Sequence, residues 1–152
     1  MRSPVKFWSA YFKYYDVLLQ LIPYRYLMSD LAERLALNEQ EIVLDAGCGT
    51  GNINYFIPEN IKVISLDQSE QALSRLVKKF PAAQFQQPSL TGKLNFPDNT
   101  FDKIVTNNVL YTIPSGKRGQ VLIELKRVLK PGGDLITANL TTQFKPWGIY
   151  KQ

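Results

Sequence analysis

Three glycines at alternating positions follow a short apolar run and form the segment with the clearest chemical meaning. The segment covers residues 43–52 and reads VLDAGCGTGN. Glycines in such a place let the backbone turn sharply and let a ligand approach where a Cβ atom would clash. Since ligands in open α/β sheets bind at the carboxyl ends of strands, the segment predicts a ligand-binding turn after a first strand.

The charges beside the glycines indicate which ligands fit. A phosphate-binding P-loop needs a Lys after its last glycine, and none follows here. Gly47, Gly49 and Gly51 do not have the G-x-G-x-x-G spacing of a dinucleotide site. Asp45 would repel a pyrophosphate, and Asp67 stands where an acidic side chain accepts hydrogen bonds from ribose hydroxyls. Two carboxylates around one turn suit a nucleoside with positive charge and an amino group, features that S-adenosylmethionine has.

Short β-branched runs and amphipathic helices alternate after residue 40 and would position these side chains. This alternation predicts an α/β fold, a three-layer Rossmann-like, doubly wound and mostly parallel sheet. The predicted strands cover residues 42–46, 61–66, 83–86, 101–106 and 135–139. One predicted helix has apolar residues from Leu73 to Phe80 and ends at Pro81, and another runs from Val121 to Leu129 and ends at Pro131-Gly132-Gly133. The long connection from Gln87 to Thr100 has the composition of a binding loop.

Two helical patterns precede the sheet. Apolar residues recur at helical spacing from Trp8 to Ile22, where Pro23 interrupts, and again at Leu27, Leu31 and Leu35. The sequence therefore predicts one domain over residues 1–152, with an N-terminal helical cap over 1–40 and a Rossmann-like core over 41–140.

Composition excludes several classes of function. The chain has 152 residues, of which 45% are hydrophobic, as in an ordinary folded domain. A single cysteine and no histidine exclude the usual zinc and iron sites, so we expect no metal. The net charge of +5 is spread over 18 basic residues, which does not favour nucleic-acid binding. With no apolar run long enough to span a membrane, a cytoplasmic protein is expected.

Four motifs in the same order resemble the class I S-adenosylmethionine-dependent methyltransferases. Residues 43–52 look like the first motif of that family, Asp67 resembles its acidic second motif, and residues 96–102 (FPDNTFD) are similar to the stretch before strand four. Residues 125–133 (LKRVLKPGG) look like the approach to strand five. The resemblance covers roughly residues 40 to 140 and is closest to enzymes that methylate small molecules and lipid headgroups, including those of quinone biosynthesis.

The resemblance implies a role for each matching residue. Asp45 and the backbone of Gly47 would hold the methionine portion of S-adenosylmethionine, and Asp67 would accept hydrogen bonds from the ribose hydroxyls. Asn107 would offer its backbone carbonyl to the cofactor's amino group, with Asn108 and Val109 along the path to the methyl group. The full set of predicted cofactor-binding residues is Asp45, Gly47, Cys48, Gly49, Gly51, Asp67, Gln68, Ser89, Leu90 and Asn107.

Some of these residues also fit ordinary structural roles. Asp45 is also placed to cap a backbone amide, and Asp67 and Ser69 to cap a helix. Gly132-Gly133 is interpreted as a turn, and Cys48 as a small packed residue rather than a nucleophile.

The sequence departs from the family pattern in two places. The family has an acidic residue for adenine near the position where this chain has Ser89-Leu90, and a neutral hydroxyl is a weaker acceptor than a carboxylate. Family members continue past strand five, whereas this sequence ends at Gln152. We therefore expect the wall on the substrate side to be missing. Strand five would be an exposed parallel edge unless the tail Thr141 to Tyr150, a second copy or a partner chain covers it.

Three functions remain open from the sequence. The first is methyl transfer to a small-molecule or lipid acceptor by in-line displacement, which needs positioning more than a general base. No catalytic residue is assigned, although Tyr111 or Thr112 could orient the acceptor and Tyr11 or Tyr15 could cover the cofactor. The second is a cofactor-binding module that a partner chain completes, and the third is a nicotinamide-dependent oxidoreductase, which the glycine spacing disfavours.

Overall fold

A parallel five-stranded sheet organises residues 22–139, the part of the chain that this computed structural model describes. Its strands are β1 (Ile42–Ala46), β2 (Lys62–Leu66), β3 (Gln84–Gln86), β4 (Phe101–Asn107) and β5 (Leu129–Ala138). They lie in the order β3-β2-β1-β4-β5, and every neighbouring pair is parallel. The strand order therefore reverses beside β1, and the predicted doubly wound α/β fold is confirmed.

Helices cover both faces of the sheet. They are α1 (Ile22–Arg34), α2 (Glu70–Lys79) and α3 (Ser115–Val128), with 3-10 turns at Asn52–Tyr55 and Leu110–Thr112. On one face, α1 and the first 3-10 turn pack on Val43 of β1, and on the other, α3 packs on the adjacent Leu44. Successive β1 residues thus enter different cores, as the pleat of a strand requires. None of the helices within residues 22–139 is long and apolar enough to cross a membrane.

Most of the predicted elements are observed close to their predicted bounds. β1 covers the predicted residues, and β2, β3 and β4 differ from their predictions by one residue each. The second helical pattern is α1, with Leu31 and Leu35 buried. Pro23, which we expected to interrupt a helix, is included in α1. The first helical pattern, including Tyr11 and Tyr15, lies outside the described residues.

The transition from α3 to β5 differs from the prediction. The helix ends at Val128 rather than at Pro131, and the next residue, Leu129, is already extended and pairs with Phe101. The pairing then shifts, so that residues 130–133 lie in an irregularity opposite Asp102. A Cβ at Gly133 would lie 2.5 Å from the Asp102 carbonyl oxygen, so the glycine pair lies within the strand instead of ending the helix.

Arg127 of α3 fixes the long connection before β4. Its guanidinium donates to the Leu94 and Phe96 carbonyls at 3.0 and 2.9 Å and to the carboxylates of Asp98 and Glu124 at 2.6 Å. Glu124 in turn accepts from the Leu94 amide at 2.7 Å. Two motifs that resemble the family, residues 96–102 and 125–133, are therefore bonded to each other.

Candidate functional site

The glycine turn follows β1 and is closed by backbone bonds and by close packing. The Gly47 and Cys48 amides both donate to the Leu66 carbonyl, at 2.7 and 2.8 Å. Gly47 has φ +81, and a Cβ there would overlap the Val109 side chain and lie 2.9 Å from Val109 Cγ1. Glycine is required here both for its conformation and for the space that Val109 occupies. Because the Gly47 amide is already bonded, only its carbonyl remains to accept a hydrogen bond from a ligand.

Asp67 connects the glycine turn to the start of α2. Its Oδ2 accepts from the Gly49 amide and its Oδ1 from the Ser69 amide, both at 2.8 Å. Burial raises the pKa of the Asp67 carboxyl, and the two amide bonds oppose that rise. Ser69 is the N-cap of α2, since its hydroxyl accepts from the Ala72 amide at 3.2 Å. Asp67 thus orders the turn and keeps lone pairs for further donors.

Asp45 is a buried carboxylate beside a second carboxylate. Its side chain lies in β1, and the residue is only 5% exposed. Burial, and next the negative charge of Asp67, raise the pKa of Asp45 to about 7. Within residues 22–139, no cation or hydrogen-bond donor offsets these two effects. The alternative role of Asp45 as a cap is therefore not observed there, and a cationic ligand would relieve the unfavourable charge.

Cys48, also predicted to bind the cofactor, is packed within the fold. Cys48 packs on Leu73 and Leu76 of α2, its carbonyl accepts from the Gly51 amide, and burial raises the pKa of its thiol. A neutral, packed thiol is not a nucleophile. The side chain and both polar backbone groups of Cys48 are thus used within the fold, which leaves little for direct contact with a ligand.

The end of β4 lies beside the glycine turn, although about 60 residues separate Asn107 from Gly47 in sequence. The Asn107 amide nitrogen donates to the Tyr24 hydroxyl at 2.9 Å, and its Oδ1 is buried without a hydrogen-bond partner among residues 22–139. Asn108 has φ +57 and donates from its backbone amide to Ala138 at 2.7 Å. Val109 then packs on Gly47. The structure thereby brings the predicted segment 107–109 onto the turn.

Gln68, Ser89 and Leu90, all predicted to bind the cofactor, lie on the connections that follow β2 and β3. The Asp67 amide donates to the Gln86 carbonyl at 3.4 Å, and the Gln87 side chain donates to the Gln68 carbonyl at 3.3 Å. Ser89 is exposed and its hydroxyl shares a hydrogen bond of 2.9 Å with Thr91. Leu90 is half-buried and packs against the core.

Sequence reasoning missed Lys79 and Tyr24, each of which contacts the site from a helix. Lys79 Nζ donates to Thr50 Oγ1 at 2.8 Å and to Asn52 Oδ1 at 2.9 Å. Tyr24 accepts from Asn107 as described above. The only sequence signal for Lys79 is its position three residues after Leu76, on the same face of α2.

A cavity of about 720 Å³ lies elsewhere, between α1 and β5. It is lined by Leu27, Asp30, Leu31 and Arg34 of α1 and by residues 134–138. None of the predicted cofactor-binding residues lines it. We place the site at the glycine turn because the carboxylates and left-handed glycines are there, and cavity volume alone indicates no chemistry.

Fold and site together define a Rossmann-like α/β domain of the class I S-adenosylmethionine-dependent methyltransferase type. The family described as "Methyltransferase domain" matches residues 43–133, more than half of the chain, and the chain belongs to that family.

Two curated relatives show the extent of the likeness. An uncharacterised methyltransferase from Schizosaccharomyces pombe is 38% identical over 105 residues, which cover 60% of this chain and 37% of that protein. A demethylmenaquinone methyltransferase from Shouchella clausii is 30% identical over 155 aligned positions, covering 95% of this chain and 64% of the relative. The chain thus spans between about a third and two thirds of the length of these relatives.

Solved structures share the fold. An S-adenosylmethionine-dependent methyltransferase from Aquifex aeolicus superimposes with a TM-score of 0.64 at 25% identity, over 80% of this chain and 68% of that one. A methyltransferase of Haloferax volcanii in complex with its Trm112 activator superimposes with a TM-score of 0.74 at 21% identity, over 91% of this chain and 61% of that one.

Proposed function

We propose that the glycine turn binds S-adenosylmethionine and that the protein transfers its methyl group to a small-molecule or lipid-type acceptor. The observation that carries the proposal is buried Asp45 beside half-buried Asp67, with no compensating cation for Asp45 among residues 22–139. A ligand with an ammonium and a sulfonium supplies that compensation. A pyrophosphate would add to the repulsion, which argues against a nicotinamide dinucleotide.

The residues present fit this cofactor by their chemistry. Asp45 would hold the cationic methionine portion, the Gly47 carbonyl is available as an acceptor, and Asp67 has lone pairs left for ribose hydroxyls. Ser89 and Leu90 supply no carboxylate for adenine, so the binding energy would come mostly from the turn. S-adenosylmethionine supplies a methyl group that is already activated for displacement.

The chain's own contribution to transfer is positioning. Val109 covers Gly47 and would exclude water from one side of the site. Tyr111 is 44% exposed, and Arg118 donates to the Tyr111 and Ile113 carbonyls at 3.2 and 2.9 Å, which holds the segment after β4 in place. Residues 107–113, which follow the end of β4 beside the turn, include no His, Asp, Glu or Lys that could act as a general base. The proposal therefore favours acceptors that are nucleophilic without one. The demethylmenaquinone methyltransferase relative supports a lipid-type acceptor.

A second function is a cofactor-binding module that another chain completes. Within residues 22–139, β5 is an edge strand of the sheet, with the cavity beside it. Unpaired strand edges are ready sites for pairing with another chain. The Haloferax methyltransferase in complex with its activator supports this alternative. Light scattering tests this alternative. A module completed by a second copy of itself would have a mass above 17.4 kDa in solution. Methyl turnover by a monomer would contradict the alternative.

The first prediction tests the cofactor by titration calorimetry with S-adenosylhomocysteine. We expect binding by the wild-type chain, no comparable binding of NAD, and about 100-fold weaker binding by Asp67→Ala, because charge-assisted bonds to the ribose are lost. The matched control is Asp30→Ala, which removes an exposed carboxylate of α1. Tighter binding of NAD than of S-adenosylhomocysteine by the folded wild-type chain would refute the proposal.

A further inference from the structure

Helix α2 packs against the glycine turn through its apolar side chains. Cys48 packs on Leu73 and Leu76, and a Cβ at Gly51 would lie 2.8 Å from Leu76 Cδ1. Gly51 has φ +75 and begins the 3-10 turn at Asn52–Tyr55. The apolar side of α2 therefore fills the space under the turn, but apolar contact alone does not fix the orientation of its peptide groups.

Lys79 supplies directional bonds at the same place. It lies one helical turn beyond Leu76, and its ammonium donates to Thr50 Oγ1 and Asn52 Oδ1, at 2.8 and 2.9 Å. Asn52 Nδ2 also donates to Thr50 Oγ1, at 3.2 Å, which closes a triangle around Gly51. Thr50 is fully buried, so these bonds are shielded from water.

We propose that Lys79 is a positioning residue that holds the glycine turn in the conformation that binds the cofactor. Asp67 holds the turn from one side, through the Gly49 amide, and Lys79 holds it from the other, through Thr50 and Asn52. Lys79 bonds to side chains of the turn, and in this proposal it acts on the ligand only through them. The inference rests on the proposed function, since it assigns Lys79 to the S-adenosylmethionine site.

Charge and positioning predict opposite effects when Lys79 is replaced. An ammonium near the turn repels a cationic ligand, so removal of its charge alone would strengthen the binding of S-adenosylmethionine and leave that of the thioether S-adenosylhomocysteine less changed. Loss of positioning lowers the affinity for both ligands by the same factor. The ratio of the two affinities therefore separates the two roles.

The binding test compares Lys79→Met with Lys78→Met, which changes the exposed neighbouring lysine and serves as the control. We expect Lys79→Met to bind both ligands about tenfold more weakly with an unchanged ratio, since two charge-assisted bonds are lost. Lys79→Arg should restore binding to within about threefold because it keeps the donors. Unchanged affinity of folded Lys79→Met, or tighter binding of S-adenosylmethionine alone, would overturn the proposal.

Hydrogen exchange of the ligand-free chain gives a second measurement that does not depend on the cofactor. The Gly51 and Asn54 amides donate to the Cys48 and Gly51 carbonyls, at 2.9 and 3.1 Å. In Lys79→Met we expect both amides to exchange about tenfold faster than in Lys78→Met, with the Leu73 amide of α2 as the unaffected reference. Equal exchange in the two variants would overturn the proposal. Failure of the wild-type chain to bind either ligand would instead refute the proposed function.

Discussion

Asp45→Asn should make the ligand-free chain more stable and the cofactor site non-functional. Ionised Asp45 is buried, and its carboxyl has a pKa of about 7 in the folded state against 3.8 as the ordinary value. The folded state thus holds a proton that the unfolded state releases between these values, so stability falls as pH rises from about 4 to 7. The cost of ionisation at neutral pH is on the order of 4 kcal/mol.

Denaturant unfolding across pH checks this prediction. The wild-type free energy of unfolding should decrease from pH 4 to pH 7, and Asp45→Asn should lose most of that slope. Asp30→Asn, which removes an exposed carboxylate paired with Arg34, should keep the slope. Equal slopes in wild type and Asp45→Asn would show that Asp45 does not titrate in this range.

The affinity for S-adenosylmethionine should rise with pH, whereas the free energy of unfolding falls. A cationic ligand favours ionised Asp45, so at pH 6 binding must first remove the proton that the ligand-free carboxyl holds. The affinity should therefore fall about fivefold from pH 7 to pH 6, with proton release on binding. Calorimetry in buffers of different ionisation enthalpy measures that release, and Asp45→Asn should show little of it together with about 100-fold weaker binding.

Gly47→Ala should destabilise the chain by about 2–4 kcal/mol through two independent effects. An alanine strains the left-handed backbone at φ +81, and its Cβ overlaps the Val109 side chain. Thermal or denaturant unfolding measures the loss, and calorimetry should detect no binding of S-adenosylhomocysteine by the variant. Displacement of Val109 or of the turn would disturb the carbonyl that the proposed site uses.

A double-mutant cycle separates the two effects at Gly47. Val109→Ala removes the overlap but not the strain, so Gly47→Ala combined with Val109→Ala should recover about half of the lost stability, a coupling of at least about 1 kcal/mol. The control is Gly119→Ala in the exposed first part of α3, where a Cβ meets no atom within 4 Å. There alanine should stabilise the helix by up to about 1 kcal/mol. Additive effects at Gly47 and Val109 would refute the close contact.

The sequence by itself determined the parallel sheet and the position of the glycine turn. Strand β1 has its predicted bounds because Ile42, Val43 and Leu44 form an apolar run rich in β-branched residues and Gly47 follows Ala46 immediately. Strands that alternate with helices predict parallel pairing and a doubly wound sheet. The observed strand order reverses beside β1, as such a sheet requires. The proposed class of ligand also rests on the sequence, since the charges of Asp45 and Asp67 are visible there without the fold.

Only the tertiary structure decided how those residues are held. Lys79 bonds to Thr50 and Asn52 across 29 and 27 residues, and Tyr24 reaches Asn107 across 83, distances that no local pattern encodes. The start of β5 was mispredicted because glycines near a helix end usually indicate a turn, whereas here close approach to Asp102 favours a glycine within the strand. The raised pKa of Asp45 also depends on the fold, because burial is a property of the packed sheet and not of the residue.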